Sequence, residues 1–155
     1  MSREERLEWY IKEFEKISND ISESSSLSYY DFLRIRNYKL QNISIANEKD
    51  IRKITRKAFE LAKNDKIVDA VEQLIKLNGV GIPVASAILT MKYPEQFAII
   101  DRRVLQALGE GKWIKNYQKD PKIYNDYLIR VRQEAKRKRM KLRKYELYLF
   151  KKGKE

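Results

Sequence analysis

The residues best suited to chemistry lie between positions 77 and 103, in the run LNGVGIPVASAILTMKYPEQFAIIDRR. The run opens on a Gly-Val-Gly turn and passes through small residues. It then reaches Asp101, beside Arg102 and Arg103 and twenty residues after Gly81. The chain has no histidine and no cysteine. Imidazole bases, thiol nucleophiles, disulfides and iron–sulfur clusters are therefore excluded, and a metal would find only oxygen ligands. Proton chemistry near neutral pH must come from Asp, Glu, Lys or Tyr. Asp101 is the leading catalytic candidate, because an ionised carboxylate in a partly dry pocket can stabilise developing positive charge or orient an attacking water. Its place just before the helical pattern Arg102–Leu108 equally suits an N-cap, worth about 1 kcal/mol, and one aspartate can serve both roles. No metal site and no cofactor is expected.

The elements that must position this carboxylate read as helices throughout, so the expected fold class is all-α, a compact helical bundle. Leu7, Tyr10, Ile11, Phe14, Ile17 and Ile21 mark a first helix that stops before the serine run 22–26. Tyr29–Leu40 is a second, and Asn47 caps a third that runs through Ile51, Ile54, Ala58 and Ala62. Ile67–Ile75 is a fourth, and Val84–Met91, entered through Pro83, a fifth. Arg102–Leu108 follows, closed by Gly109, then a long helix from Asp120-Pro121 to Arg139 and a last one from Leu142 to Phe150. Phe97–Ile100 reads as a buried extended link. The whole chain, 1–155, forms one domain with its core at 67–109 and basic helices at 120–155.

The fourth helix, the turn and the fifth helix together read as a helix–hairpin–helix. Gly79 and Gly81 are expected to allow positive φ and close approach of another molecule to the backbone. The N–H groups of the turn and of the next helix's first residues lack intrahelical partners, and with the helix dipole behind them they make a phosphate site that reads no bases. Asn78, Gly79, Val80, Gly81 and Ile82 are the expected contacts, with Val80 and Ile82 also anchoring the turn. Ala85, Ser86 and Ala87 are small enough for the two helices to pack closely.

Charge points to the same kind of partner. Residues 130–155 hold twelve Lys/Arg against three acids, which supplies nine of the chain's net twelve positive charges. A basic block on an otherwise balanced domain is a footprint for a polyanion, nucleic acid first and an acidic membrane surface second. Arg36 and Lys39 on the second helix, Lys112 and Lys115 after Gly109, and Arg137 and Arg139 in the basic block are candidate phosphate contacts. No apolar run approaches the roughly 20 residues that span a bilayer. The charged start, MSREERLEW, fits neither a signal peptide nor a transit sequence. A cytoplasmic monomer is expected, nucleoid-associated in a prokaryote.

The extended pattern Leu74-x-x-Leu77-x-Gly-Val-Gly-x-x-Val-Ala-x-x-Ile88-Leu89 resembles the helix–hairpin–helix DNA glycosylase superfamily. The run Val80-Gly-x-Pro-Val-Ala-Ser-Ala87 is similar to that of a group of small proteins sharing this hairpin. The resemblance implies a DNA-glycosylase-like fold, a hairpin gripping the DNA backbone, and a base-excision-repair function. Asp101 falls on the catalytic aspartate, which would face a base flipped from the duplex and stabilise the sugar cation as the N-glycosidic bond breaks. Bifunctional members carry a lysine nucleophile two residues after the second glycine. This chain has Pro83 there, so hydrolysis should be monofunctional, with no Schiff-base lyase by that route.

Base flipping also needs stacking surfaces. The chain has ten tyrosines, two tryptophans and five phenylalanines. Tyr29, Tyr30, Tyr38 and Trp113 are the candidates, with Tyr145 and Tyr148 flanking the basic stretch. The competing reading is a non-catalytic DNA- or RNA-binding module in which Asp101 only caps a helix. A third is a protein–protein adaptor that keeps the hairpin as scaffold.

Overall fold

Among the described residues, five of the eight α-helices begin where a short polar side chain takes up a free backbone N–H. In the computed structural model, which describes residues 1–39 and 46–153, Ser2 caps Glu5, Ser28 caps Asp31, Asn47 caps Asp50, Asp101 caps Val104 and Asp120 caps Lys122. The helices are α1 (Arg3–Ile21), α2 (Tyr29–Tyr38), α3 (Glu48–Lys63), α4 (Ile67–Leu74), α5 (Ile82–Lys92), α6 (Arg102–Leu108), α7 (Pro121–Arg137) and α8 (Leu142–Lys152). A 3-10 turn covers Gly111–Trp113. Among the described residues there is no strand, and the fold is all-α.

Most boundaries fall within two residues of those expected. α2 ends at Tyr38, and Leu40, expected inside it, lies outside the described residues. α7 stops at Arg137 because Arg139 turns left-handed (φ 56°), which an α-helix cannot continue through. α8 runs two residues beyond Phe150.

α5 is the central element. Ile82 and every residue from Val84 to Met91 are buried, so this helix is apolar all round, the pattern of a helix enclosed by others. α1, α2, α3 and α4 pack against it. Ala85, Ser86 and Ala87 are all buried, as the expected close packing requires. Lys92 at its far end reaches the carbonyls of Ile21, Ser22 and Ser24 (3.1, 2.8 and 2.5 Å) and satisfies acceptors where α1 stops. α7 lies against α4 and α8, and α8 against α6. The α6–α8 approach is tight: a Cβ on Gly153 would meet the Arg103 carbonyl oxygen at 2.5 Å.

The link Phe97–Ile100 lies outside any helix and is buried. With no sheet to join, its polar backbone groups must be paired by side chains. Tyr124 Oη donates to Ala98 O (2.8 Å) and Tyr127 Oη to Ile99 O (2.7 Å). Ile99 N–H donates to Glu146 Oε2 (2.7 Å) and Ile100 N–H to Ser86 Oγ (3.1 Å). α5, α7 and α8 thus clamp the four residues that lead to Asp101.

Candidate functional site

Asp101 leaves this clamp in an extended conformation (φ −152°, ψ 171°), and its Oδ1 accepts the Val104 N–H at 2.8 Å. The capping role is therefore present. It occupies one oxygen; among the described residues Oδ2 has no assigned partner.

Asp101 also lines a cavity of about 430 Å³. α1 contributes Tyr10 and Ile11, the end of α2 Tyr38 and Lys39, α6 Arg102, Arg103 and Val104, and α8 Arg143, Glu146, Leu147 and Phe150. Ile99 and Tyr117 complete the wall. The volume lies within the range of small-ligand sites. The rings form an edge-packed cluster: Tyr10 meets Tyr38 at 5.2 Å and 87°, and Phe150 at 6.1 Å and 69°. Trp9, 44% exposed, stacks on the outer side of this cluster, 6.5 Å and 21° from Tyr38.

The electrostatics of the wall are set by burial. Glu146 is 3% exposed; Oε2 takes the Ile99 N–H and Oε1 takes Arg143 Nη1 at 2.7 Å. Burial pushes its carboxyl above the usual range despite the opposing pull of Arg143 and the Ile99 amide, and Asp101 adds to the rise. Arg143 lies over the Phe14 ring at 3.4 Å, which fixes its guanidinium. Burial also lowers the Lys39 ammonium, against support from Asp101 and Glu146 and with opposition from Arg103. The Tyr38 phenol is raised, chiefly by burial.

The other candidates divide. Asn78, Gly79 and Gly81 are exposed on the α4–α5 turn, but Val80 and Ile82 are buried, and the Val80 N–H is already bonded to the Leu77 carbonyl, so these two are anchors of the turn and not exposed contacts. Gly79 uses the left-handed region (φ 84°). Gly81 does not: it is extended at φ −98°, because the turn needs a single left-handed residue. No residue of the turn lines the Asp101 cavity. Lys39, expected as a surface phosphate contact, is half-buried at the C-cap of α2 and lines the cavity wall. Arg36 is half-buried on α2. Lys112 is exposed, paired with Glu110 at 3.2 Å and set 5.3 Å over the Trp113 ring; Lys115 is exposed. Arg137 is held by Glu134 at 2.7 Å, and Arg139 is exposed at the end of α7.

The basic block is partly neutralised within the chain. Arg130 pairs with Glu110 and Glu134, Arg132 with Asp65, and Arg143 with Glu146. Lys136, Lys138, Lys141, Lys144, Lys151 and Lys152 are exposed. Of the stacking candidates, Tyr29, Tyr30 and Tyr148 are exposed, whereas Tyr38 and Tyr145 are buried and Trp113 is half-buried. Sequence reasoning missed Tyr10, Tyr117, Arg143, Glu146 and Phe150. Glu146 carried one signal, as one of three acids in the basic block.

Among the described residues no cluster of three or more acidic side chains is placed to hold a metal ion, and no helix is long and apolar enough to cross a membrane. No family model, no curated protein and no solved structure matches this chain.

Proposed function

We propose that the protein binds duplex DNA and that Asp101 supports monofunctional hydrolysis of the N-glycosidic bond of a damaged or mismatched base. The carrying observation is the placement of Asp101 in the wall of a cavity with aromatic sides and basic residues, Arg102 and Arg103, beside it. A planar base entering the cavity would meet the Tyr10, Tyr38 and Phe150 rings. The carboxylate would then face the sugar, where it can stabilise the oxocarbenium-like charge and orient a water. A dry wall strengthens that interaction.

The α4–turn–α5 unit is read as a helix–hairpin–helix that grips phosphate. Its exposed turn carries Asn78, Gly79 and Gly81, and α5 begins without a side-chain cap, so its amide donors suit an anion. Buried Val80 and Ile82 hold the turn in place. The exposed lysines of the α7–α8 end add sequence-independent attraction.

One observation favours the second reading. The 2.8 Å bond from Val104 N–H to Asp101 Oδ1 gives the aspartate a structural role sufficient to explain it in a non-catalytic nucleic-acid-binding module. An excision assay over a broad panel of lesion and mismatch duplexes separates the two. Release of at least one base above background is expected; background across the whole panel would leave only the binding module. The plot of log K against log salt should be steep, and a flat one would remove nucleic acid as the partner.

A further inference from the structure

We propose that the solvent face of α8 holds a single-stranded nucleic acid, with Tyr148 as the ring on which an unpaired base stacks. From 136 to 152 every exposed residue is Lys or Arg except Tyr148. On α8, Lys144, Lys151 and Lys152 lie three or four residues from Tyr148, and Lys141 lies seven away, so all share one helix face with the ring among them. Lys138 joins them from the end of α7, its Nζ 5.8 Å from the Tyr148 ring centroid. The one acid in that run, Glu146, is buried and bonded to Ile99 and Arg143, so it neutralises none of these charges.

The ring is 44% exposed, yet it is held in place by stacking on the buried Tyr145 (6.0 Å, 24°). Lys138 gives it a cation–π contact from an exposed side chain. A base taking that place would keep a partner on the ring and free the ammonium for a phosphate. The tyrosine also decides among polyanions. In a duplex the bases already stack on one another, and lysines alone would reach the phosphates. An acidic bilayer calls for an apolar face beside the lysines, and here there is a single ring. Unpaired bases present open faces, and a basic track with an aromatic platform holds them without reading sequence. Such binding goes beyond the duplex contact proposed above and needs no base removal.

Fluorescence anisotropy of the full chain is measured with labelled oligothymidylate and with a duplex, and vesicle sedimentation with phosphatidylserine-rich liposomes. Tyr148→Ala is expected to weaken oligothymidylate binding roughly tenfold while duplex affinity stays within about twofold. Tyr148→Phe keeps the π face and should bind oligothymidylate as the wild type does, which separates stacking from any loss of fold in the alanine variant. Ultraviolet cross-linking to an iodouracil-substituted oligothymidylate should place the adduct on Tyr148. Equal losses for oligothymidylate and duplex in Tyr148→Ala, or an equal loss in Tyr148→Phe, would overturn the proposal. So would binding of the liposomes with no binding of oligothymidylate.

Discussion

The α4–α5 turn and the Asp101 cavity are built by opposite means. The turn is local: a handful of consecutive residues, with one left-handed glycine and two buried apolar anchors, Val80 and Ile82, leaves Asn78, Gly79 and Gly81 exposed. The cavity is assembled from α1, α2, α6, α8 and the Phe97–Ile100 link, and it is tied together across the sequence, as where the Ile99 N–H depends on Glu146, 47 residues away. A backbone grip therefore tolerates side-chain change, whereas a carboxylate held by long-range packing does not. Changes beneath the cavity should cost stability, and changes at the turn should cost binding.

The largest expected effect is at Glu146. Glu146→Ala strips the buried Ile99 N–H of its acceptor and leaves the half-buried Arg143 without its partner, and urea unfolding should show a loss of about 3–5 kcal/mol. A loss below about 1 kcal/mol would mean that α8 does not hold the link. At the turn, Gly81→Glu places a carboxylate where phosphate is proposed. A new Cβ there meets only Pro83 Cδ at 3.8 Å, an ordinary contact. Stability should change by no more than about 0.5 kcal/mol, while DNA affinity falls roughly tenfold or more from the loss of charge-assisted bonds. Unchanged affinity would remove the turn from the interface.

Ser86→Ala leaves the buried Ile100 N–H unpaired and should cost about 1–3 kcal/mol. Gly79→Ala forces a Cβ into the left-handed region and should cost about 1–2 kcal/mol. The smallest effect belongs to Asp65, outside both regions, whose carboxyl is held below its ordinary 3.8 chiefly by the Arg132 hydrogen bonds. A depressed acid contributes stability above its unfolded value and loses it as pH falls through the folded one. Asp65→Asn should therefore lose no more than about 1 kcal/mol at neutral pH, for a pair half open to water. Wild type and variant should converge in strong acid; a constant gap in thermal melts would show that Arg132 acts without the charge.

The difference between the regions also explains what could be read from sequence. Helix caps, the Gly109 stop and the buried link are local patterns, and Asp101's capping role follows from the residues on either side of it. Lys39 could not be placed, because whether a residue at the end of α2 faces outward depends on α6 and α8, more than sixty residues away. Charge counting overstated the free basic surface for the same reason: Arg132 finds Asp65 across 67 residues, and no spacing rule links them. The aromatic wall went unread because Tyr10 and Phe150 each look like ordinary core residues on their own helices.

The central claim, that the Asp101 carboxylate does more than cap α6, is tested most directly by single-turnover base excision with wild type and Asp101→Asn, alongside their thermal unfolding. Asparagine caps a helix about as well as aspartate, so unfolding should barely change. Loss of the negative charge should slow excision by roughly 100-fold or more. Equal excision rates at equal stability would contradict the account and leave Asp101 a cap.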